Sequence, residues 1–472
     1  MSSSVNPLSS LSTSLGTSSS GTTSGTGLGQ GINVQQFVTY AVASQQATIT
    51  ALQTQQTNLG SQTGELSTIG SDLTALDNAA NALSDPLGAL ASEVATSSNS
   101  GILTGTASGV AAAGTHSISI ANLATTSSYY TDAVASSSTS LATGDTIGIS
   151  VGGKSVASIT VNSTNNTLTS LAAAINSSQT AVQASVINDA TGARLALVSA
   201  TSGSSGNISV SGSLHLTDSN STAINFNQAT QGLNASLTVD GVPISSASNT
   251  VSGVINGVTL NLAAPTVTNG VDNPVSLTVA PDTSQAASAI NNLVSTYNTV
   301  TTEINNQFNV ASDGSGGGVL ETDDSLRQVQ SMLLNAISYS VPGNNGIVNL
   351  ASIGVNMNND GTLSVDSGTL NSALSSNYSA VQNLLQNTTN GFAQNLDSVI
   401  QSINAPTTGI LSIDSQGIAS TSQGLTSQIS DLQAALTVQE QQLTTMYAQV
   451  NTTLQELPLL ENQMSQQLSG IA

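Results

Sequence analysis

The stretch LTSQISDLQAALTVQEQQLTTMYAQVNTTLQELPLLENQM, residues 425–464, has an apolar residue at every seventh position. A seven-residue repeat keeps such residues on one face of a helix, and two neighbouring rows form the seam of a coiled coil. The first row is Ile429, Leu436, Leu443, Val450, Leu457, Met464 and Ile471, and the companion row includes Leu425, Leu432, Met446 and Leu460. The repeat predicts a C-terminal coiled-coil helix over residues 425–472, kinked at Pro458.

The same repeat occurs near the other end of the chain. One row is Leu52, Leu59, Leu66, Leu73, Ala80 and Leu87, and a second row is Ile69, Leu76, Leu83 and Leu90. These rows predict N-terminal coiled-coil helices over residues 31–98, with a break near Asp85 because Pro86 cannot continue a helix.

A single stripe of this kind is equally typical of an amphipathic helix that covers a globular core, since the two periods differ by only ~20° per seven residues. Two stripes at opposite ends favour termini that meet and form a helical stalk, within one chain or in an oligomer. The candidate interface therefore consists of Leu52, Leu59, Leu66, Ile69, Leu73, Leu76, Leu83, Ile429, Leu432, Leu436, Leu443, Met446, Val450, Leu457 and Met464.

The region between the two stripes has the pattern of short β-strands. Residues 100–281 contain alternating or β-branched runs such as DTIGISVGG and VTLNLAA, separated by Gly, Asn, Asp and Ser, which favours antiparallel sheets. One helix is predicted at residues 168–176, capped by Thr167. We expect a β-rich domain from residues 99–130 and 232–281, with a second β-rich domain, residues 131–231, inserted into it.

Residues 282–424 return to helical spacing and predict a helical bundle. Within it, ETDD at residues 321–324 is typical of a helix N-terminus, and Asp360-Gly361 predicts the turn of a β-hairpin. We expect a flexible break at ASDGSGGG, residues 311–318, and a single helix over residues 367–385. Residues 1–30 are Ser, Thr and Gly with isolated Leu, a composition typical of a disordered tail. The whole pattern predicts an elongated α+β multidomain protein.

The composition excludes several classes of partner. Lys and Arg number 3 against 25 Asp and Glu, giving a formal net charge of −22. Binding to phosphate backbones or anionic membranes needs clustered cations, so we expect neither nucleic-acid binding nor membrane association. No apolar run approaches the ~18 residues of a membrane span, and the N-terminus lacks the basic and apolar regions of a cleaved signal peptide. The absence of cysteine removes disulfides and thiolate chemistry.

No set of residues predicts catalysis, and we expect no cofactor or metal site. The two histidines, His116 and His215, lie in strand-like runs far from any dense acidic cluster. The segment from Asn356 to Gly361 resembles a calcium loop, but the required twelfth-position Glu is replaced by Ser367. No phosphate-binding glycine motif is present. The sequence therefore favours a structural protein over an enzyme.

The order of motifs resembles the flagellar filament cap family, also called hook-associated protein 2. LTVDGVPISSASNTVSGVINGVTLNL, then SLTVAPD, then LVSTYNTV are similar to a family pattern, and LASIGVNMNNDGTLSVD resembles its C-terminal module. The segment from Leu168 to Val210 also resembles a hook-related repeat. The opening GLGQGIN departs from the family pattern at Gln30 and Asn33. The matching motif positions are Gly241, Asn249, Gly257, Asp282, Tyr297, Asn298, Gly354, Asp360 and Gly361.

The resemblance implies a small ring of subunits on the filament end, under which exported flagellin folds and docks. It implies four kinds of partner: other copies of the chain, flagellin, hook–filament junction proteins, and a cytoplasmic export chaperone bound near the C-terminus. It also implies an extracellular location at the flagellum tip, reached through the flagellar secretion channel without a cleaved signal peptide.

Two alternatives of different kinds stay open from the sequence. Another axial protein, such as a flagellin or a different hook-associated protein, would share coiled termini and a β-rich middle. A surface adhesin would also have Ser- and Thr-rich strands. A polysaccharide hydrolase is a more distant alternative, because the paired carboxylates that it needs cannot be recognised from spacing.

Overall fold

The computed structural model describes residues 33–309 and 316–469. The chain divides into two compact units. The helical unit comprises Met1–Ser84 and Ala289–Ala472, and the strand-rich unit comprises Asp85–Ser288. The predicted tail at residues 1–30, residues 311–315 of the predicted break, and Ile471 lie outside the described residues.

The described residues combine α-helices with antiparallel sheets, which confirms the α+β class. The helices are α1 (Val34–Ser84), α2 (Leu168–Ser178), α3 (Thr283–Phe308), α4 (Asp324–Ile337), α5 (Ser367–Ser376), α6 (Tyr378–Gln386), α7 (Phe392–Asn404) and α8 (Ile410–Ser469). The strands up to residue 202 are β1 (Glu93–Ser97), β2 (Leu103–Ala107), β3 (Gly114–Asn122), β4 (Thr126–Thr131), β5 (Thr146–Val151), β6 (Lys154–Thr160), β7 (Val182–Asp189) and β8 (Gly192–Ser202). The later strands are β9 (Ile208–Ser211), β10 (Leu214–His215), β11 (Ala223–Ile224), β12 (Phe226–Thr230), β13 (Ala235–Val239), β14 (Val242–Ser246), β15 (Thr250–Ser252), β16 (Val258–Leu262), β17 (Val267–Thr268), β18 (Val271–Asp272), β19 (Val275–Pro281), β20 (Val355–Met357) and β21 (Leu363–Val365).

The helical unit is built around the long helices α1 and α8, which pack against each other, while α7 also packs on α1. Helix α1 ends at Ser84, immediately before Asp85-Pro86, as the sequence predicted. Helix α8 continues through Pro458 and begins at Ile410, earlier than the predicted residue 425. The earlier start is consistent with burial of Leu411, because its apolar side chain gains stability by joining the core.

Two further predicted elements of the helical unit have clear outcomes. The hairpin prediction is confirmed: β20 pairs with β21, and Gly361 has a φ of 82° in the turn between them. The single helix predicted over residues 367–385 is wrong, because two helices, α5 and α6, flank Asn377. The backbone of Asn377 has φ −136° and ψ 36°, which is outside the helical region and ends the first helix.

The strand-rich unit contains two apolar cores. The first lies between a five-stranded sheet, in the order β1-β19-β3-β13-β14, and a three-stranded sheet, β15-β16-β2. The second joins a four-stranded sheet, β12-β4-β8-β7, and a three-stranded sheet, β6-β5-β9, with helix α2. Both cores consist almost entirely of Ala, Val, Leu and Ile side chains, as expected for a chain with only 2% aromatic residues.

The second group of strands is inserted between β3 and β13, which are neighbours in the first sheet. Helix α2 begins as predicted: the Thr167 hydroxyl accepts a hydrogen bond from the Ser170 N–H, and the Ser170 hydroxyl accepts one from the Thr167 N–H. Such a reciprocal cap satisfies two backbone donors that the helix itself cannot pair.

Two strands lie outside the limits that the sequence suggested. Glu93–Ser97 was expected in the N-terminal helices, but it forms β1 and pairs with β19, with Glu93 opposite Pro281. Thr126–Thr131 was assigned mostly to the first β-rich domain, but it forms β4 and pairs with β8 and β12 of the inserted group. Both segments become strands because they pair with segments distant in sequence, and such pairing cannot be predicted from sequence periodicity. None of the described helices is long and apolar enough to cross a membrane.

We predict that Leu73→Ala will lower the free energy of unfolding of the helical unit by about 2–5 kcal/mol, because it removes a fully buried side chain and leaves a cavity. Urea unfolding followed by far-ultraviolet circular dichroism measures this change. The matched control is Leu459→Ala in α8 of the same unit, since Leu459 is 66% exposed and its truncation should cost less than about 0.5 kcal/mol. Equal losses in the two variants would contradict the burial argument.

Candidate functional site

The first candidate surface is the seam between α1 and α8. Val42, Ile49, Ile429 and Leu436 form a buried apolar cluster, with Leu52 and Leu443 packed against it. The two terminal helices pair within one chain, as expected. The predicted C-terminal row supplies Ile429, Leu436 and Leu443, whereas on α1 only Leu52 belongs to a predicted row, and Val42 and Ile49 were not predicted.

Side-chain contacts across this seam show the relative direction of the two helices. The Gln45 side-chain amide donates to the side-chain oxygen Oε1 of Gln439 at 3.4 Å, and the Gln56 side-chain amide donates to the Thr426 hydroxyl at 2.6 Å. The ring centroids of Phe37 and Tyr447 lie 5.8 Å apart. Residue numbers rise along α1 as they fall along α8, so the helices are antiparallel.

The second half of the α1 stripe is buried in the core of the helical unit. Leu66, Ile69, Leu73, Leu76 and Leu83 are at most 3% exposed, whereas Leu59 is half-buried. The Asn404 amide at the end of α7 donates to the Gly70 carbonyl at 2.8 Å and to the Thr74 hydroxyl at 3.0 Å. This half of the stripe thus covers the core of a globular unit, as in an ordinary amphipathic helix. That was the alternative interpretation of the heptad pattern.

The last part of α8 leaves its apolar residues exposed. Val450 lies near the level where described α1 begins, because the antiparallel register places Phe37 beside Tyr447. The exposed positions of the predicted interface are Leu432 at 36%, Met446 at 48%, Val450 at 43%, Leu457 at 42% and Met464 at 59%. We call these five residues the α8 stripe. Within the described residues, the seam with α1 includes Ile429, Leu436 and Leu443, and Leu432, which lies between them in sequence, is exposed.

The motif glycines occupy backbone positions with positive φ. These φ values are 83° at Gly241, 71° at Gly257, 85° at Gly354 and 82° at Gly361. A Cβ atom at Gly257 would lie 2.8 Å from the Ala111 nitrogen, and one at Gly354 would lie 2.9 Å from the Asp366 carbonyl oxygen. Both the conformation and the close approach of the backbone therefore require glycine at these two positions.

The two motif asparagines each hold another segment through both backbone groups of one residue. The Asn298 amide donates to the Leu363 carbonyl at 2.8 Å, and its oxygen accepts from the Leu363 N–H at 2.6 Å, which ties α3 to the hairpin. Asn249 makes the same pair of bonds to Ala124, at 3.0 Å and 2.7 Å. Each side chain thus pairs both backbone groups of one residue, Leu363 in β21 and Ala124 in the segment between β3 and β4.

The remaining motif residues cap or fill the structure. The carboxylate of Asp282 accepts bonds from the Ser284 hydroxyl at 2.6 Å and from the Ser284 and Gln285 N–H groups, at the start of α3. These bonds, that of the Ser284 hydroxyl above all, lower the pKa of Asp282. Tyr297 is fully buried, which raises its pKa. The Asp360 carboxylate accepts from the Thr362 hydroxyl and N–H in the hairpin turn.

Side-chain chemistry outside the motifs is sparse. Each histidine contacts one carboxylate that sequence spacing did not reveal: the distance from His116 Nδ1 to Asp240 Oδ2 is 2.7 Å, and from His215 Nδ1 to Asp145 Oδ2 is 3.1 Å. Asp240 and Asp145 are distant in sequence, so only the fold could identify these pairs. No group of three or more His, Cys, Asp or Glu side chains in residues 33–309 and 316–469 is arranged to hold a metal ion.

Comparison with known proteins gives a consistent result over most of the chain. Residues 30–127 match the family model described as flagellar hook-associated protein 2 N-terminus, and residues 232–458 match that described as its C-terminus. Together these matches cover more than half of the 472 residues.

Individual relatives agree with the family models. The B-type flagellar hook-associated protein 2 of Pseudomonas aeruginosa is 30% identical over 246 residues, 51% of each chain. The flagellar hook-associated protein 2 of Helicobacter pylori strain 26695 is 30% identical over 148 residues, 31% of this chain and 21% of that protein. The matched regions thus span about half or less of the length of these relatives.

A solved structure extends the match to the fold. The crystal structure of the D1-D2-D3 domains of the flagellar cap protein FliD from Escherichia coli is 28% identical, with a TM-score of 0.55. The alignment covers 75% of this chain and 99% of that one.

With its paired end helices and central antiparallel sheets, the chain is similar over these regions to proteins of the bacterial flagellum. More specifically, the chain belongs to the flagellar hook-associated protein 2 family, the family of the filament cap.

We predict that Asn298→Ala will destabilise the helical unit by about 1–3 kcal/mol, because the N–H and carbonyl of Leu363 lose their partner. Chemical denaturation with far-ultraviolet circular dichroism gives the value. Asn306→Ala, at an exposed position of the same helix, is the control and should change stability by less than about 0.5 kcal/mol. Equal free energies of unfolding for Asn298→Ala and the control would show that the two hydrogen bonds to Leu363 contribute nothing to stability.

Proposed function

We propose that this protein caps the distal end of the flagellar filament, where it promotes the folding and insertion of exported flagellin subunits and prevents their loss. The observation that carries this proposal is the α8 stripe, whose apolar side chains are exposed along a long helix. The flagellar hook-associated protein 2 family, to which the chain belongs, supplies the biological setting.

A ring of identical subunits is the assembly that we propose for these helices. Exposed apolar residues at heptad spacing have the pattern of a coiled-coil row that lacks its partner helix. Burial of apolar area supplies most of the free energy of such an association, at roughly 25 cal/mol per Å². Only 6% of the residues are charged, so ion pairs can add little to the specificity of the contact.

The α8 stripe also suggests how the chain meets its other proposed partners. At the filament tip, the helices would contact flagellin and, at the start of assembly, the hook–filament junction proteins. Before export, exposed side chains such as Leu457 and Met464 would associate prematurely, so a cytoplasmic chaperone covering this end is part of the proposal. The destination is extracellular, reached through the flagellar channel without cleavage of a signal peptide.

The experiment that tests the function is deletion of the gene. We expect cells without filaments that release monomeric flagellin into the medium, because subunits leaving the channel are no longer retained. Immunoblotting of culture supernatant and electron microscopy of the cells measure both effects, and a plasmid copy of the gene is the control. Normal filaments in the deletion strain would refute the cap role, and loss of glycan or mucin binding alone would indicate an adhesin.

We predict that Leu457→Glu will raise the dissociation constant of self-association at least about tenfold, because a carboxylate would be buried without a partner. Size-exclusion chromatography with light scattering measures the assembly over a concentration series. Gln455→Glu, at an exposed polar position two residues away, adds the same charge and should assemble like the unaltered protein.

If the Leu457→Glu variant assembled as tightly as the unaltered protein, the proposed role of the α8 stripe in self-association would be contradicted. Open-ended filaments of the unaltered protein, in place of small closed rings, would favour a different axial protein of the flagellum.

A further inference from the structure

The helical unit contains pairs of acidic side chains that meet across helix interfaces. Asp77 of α1 faces Asp397 of α7, and Asp414 of α8 faces Asp323, the residue that caps α4. Glu65 of α1 also lies near Glu303 of α3, and the Gln307 amide reaches both at 3.5 Å and 3.3 Å. Each pair joins two helices that are separate in sequence.

Two of these carboxyl groups have a buried oxygen without a hydrogen-bond donor. Asp77 Oδ1 and Asp414 Oδ2 are shielded from water and have no partner in the described part of the chain. An ionised carboxylate can only accept hydrogen bonds, so two facing carboxylates cannot satisfy each other. One proton placed on either member converts repulsion into an O–H···O bond and supplies the missing donor.

No cation neutralises the pairs. Arg327 is the single Lys or Arg in the sequence of the helical unit, and both histidines belong to the strand-rich unit. The Arg327 guanidinium donates to the Glu321 carbonyl oxygen at 2.7 Å, lies 3.5 Å from Asp324 and covers the Phe308 ring. It is therefore already engaged at the start of α4.

The groups that act on each carboxyl favour its neutral form. Burial, and then Asp397, raise the pKa of Asp77 to about 6, opposed only by a hydrogen bond from Asn81 on its own helix. Burial, and then Asp323, raise the pKa of Asp414 to about 6. Burial and Glu303 raise the pKa of Glu65 and of Asp72 as well.

The direction of the effect on stability follows from these shifts. A pKa that is higher in the folded than in the unfolded protein means that the folded state binds the proton more tightly. The resulting stabilisation is complete below the unfolded value, near 4, and is lost as the pH rises through about 6.

We propose that the Asp77–Asp397 and Asp323–Asp414 pairs form a proton-operated lock, which holds α1 to α7 and α8 to α4 when protonated and loosens these contacts near neutral pH. The lock is a property of the helical unit and does not depend on the proposed role of the chain as a cap.

Hydrogen–deuterium exchange of the full-length protein between pH 5 and 7 tests the lock. After correction for the intrinsic pH dependence of exchange, protection of α7 peptides should decrease about tenfold over this range, as expected for one group whose pKa is near 6. In Asp397→Asn, an amide donor replaces the proton, so the decrease should be about twofold or less. Peptides of α2 and β8 in the strand-rich unit serve as the internal reference.

Asp431→Asn, an exposed position on α8, removes the same charge and should retain the full decrease. Asp414→Asn, followed in peptides from the start of α8, gives an independent test in case Asp397→Asn fails to fold. Protection of α7 that does not change with pH in the unaltered protein would overturn the proposal. An unchanged tenfold decrease in Asp397→Asn would overturn it as well.

Discussion

The helical unit depends on aliphatic packing between the first and the last helix of the chain. Val42 and Ile49 of α1 meet Ile429 and Leu436 of α8, so segments almost four hundred residues apart in sequence become one interface. The chain has few other sources of cohesion, because it contains no cysteine, no tryptophan and only three basic residues. Stability must come from many small apolar contacts and from backbone hydrogen bonds, each of which contributes modestly.

Features with local causes could be predicted from the sequence. Pro86 ends α1, Thr167 caps α2, and Asp360-Gly361 turns the hairpin, each for a reason contained in a few adjacent residues. The heptad rows also predicted that the two end helices would pair. They could not show how far each row is used within one chain, because that depends on where the partner helix lies alongside. Leu73 is consequently buried, whereas Met464, at an equivalent position of its own repeat, is exposed.

The remaining features require contacts between distant segments. Glu93–Ser97 and Thr126–Thr131 are strands because β19 and β8 lie beside them, and the backbone at Asn377 interrupts what reads as one helix. The candidate site divides in the same way. The motif positions could be named from the sequence, but their work as turns, caps and clamps emerged only with partners such as Leu363 and Ala124. The facing carboxyls of Asp77 and Asp397 left no local signal at all.

The strands on either side of the insertion have an architectural consequence. Asn122 at the end of β3 lies directly opposite Ser236 in β13, and the N–H of Thr125 donates to the carbonyl of Leu233 at 2.9 Å. The chain therefore enters and leaves the inserted group of strands at adjacent positions, which are joined by backbone hydrogen bonds. An insertion of different size or surface could replace these strands while β3 and β13 kept their register. The inserted strands can therefore vary in sequence without destabilising the five-stranded sheet.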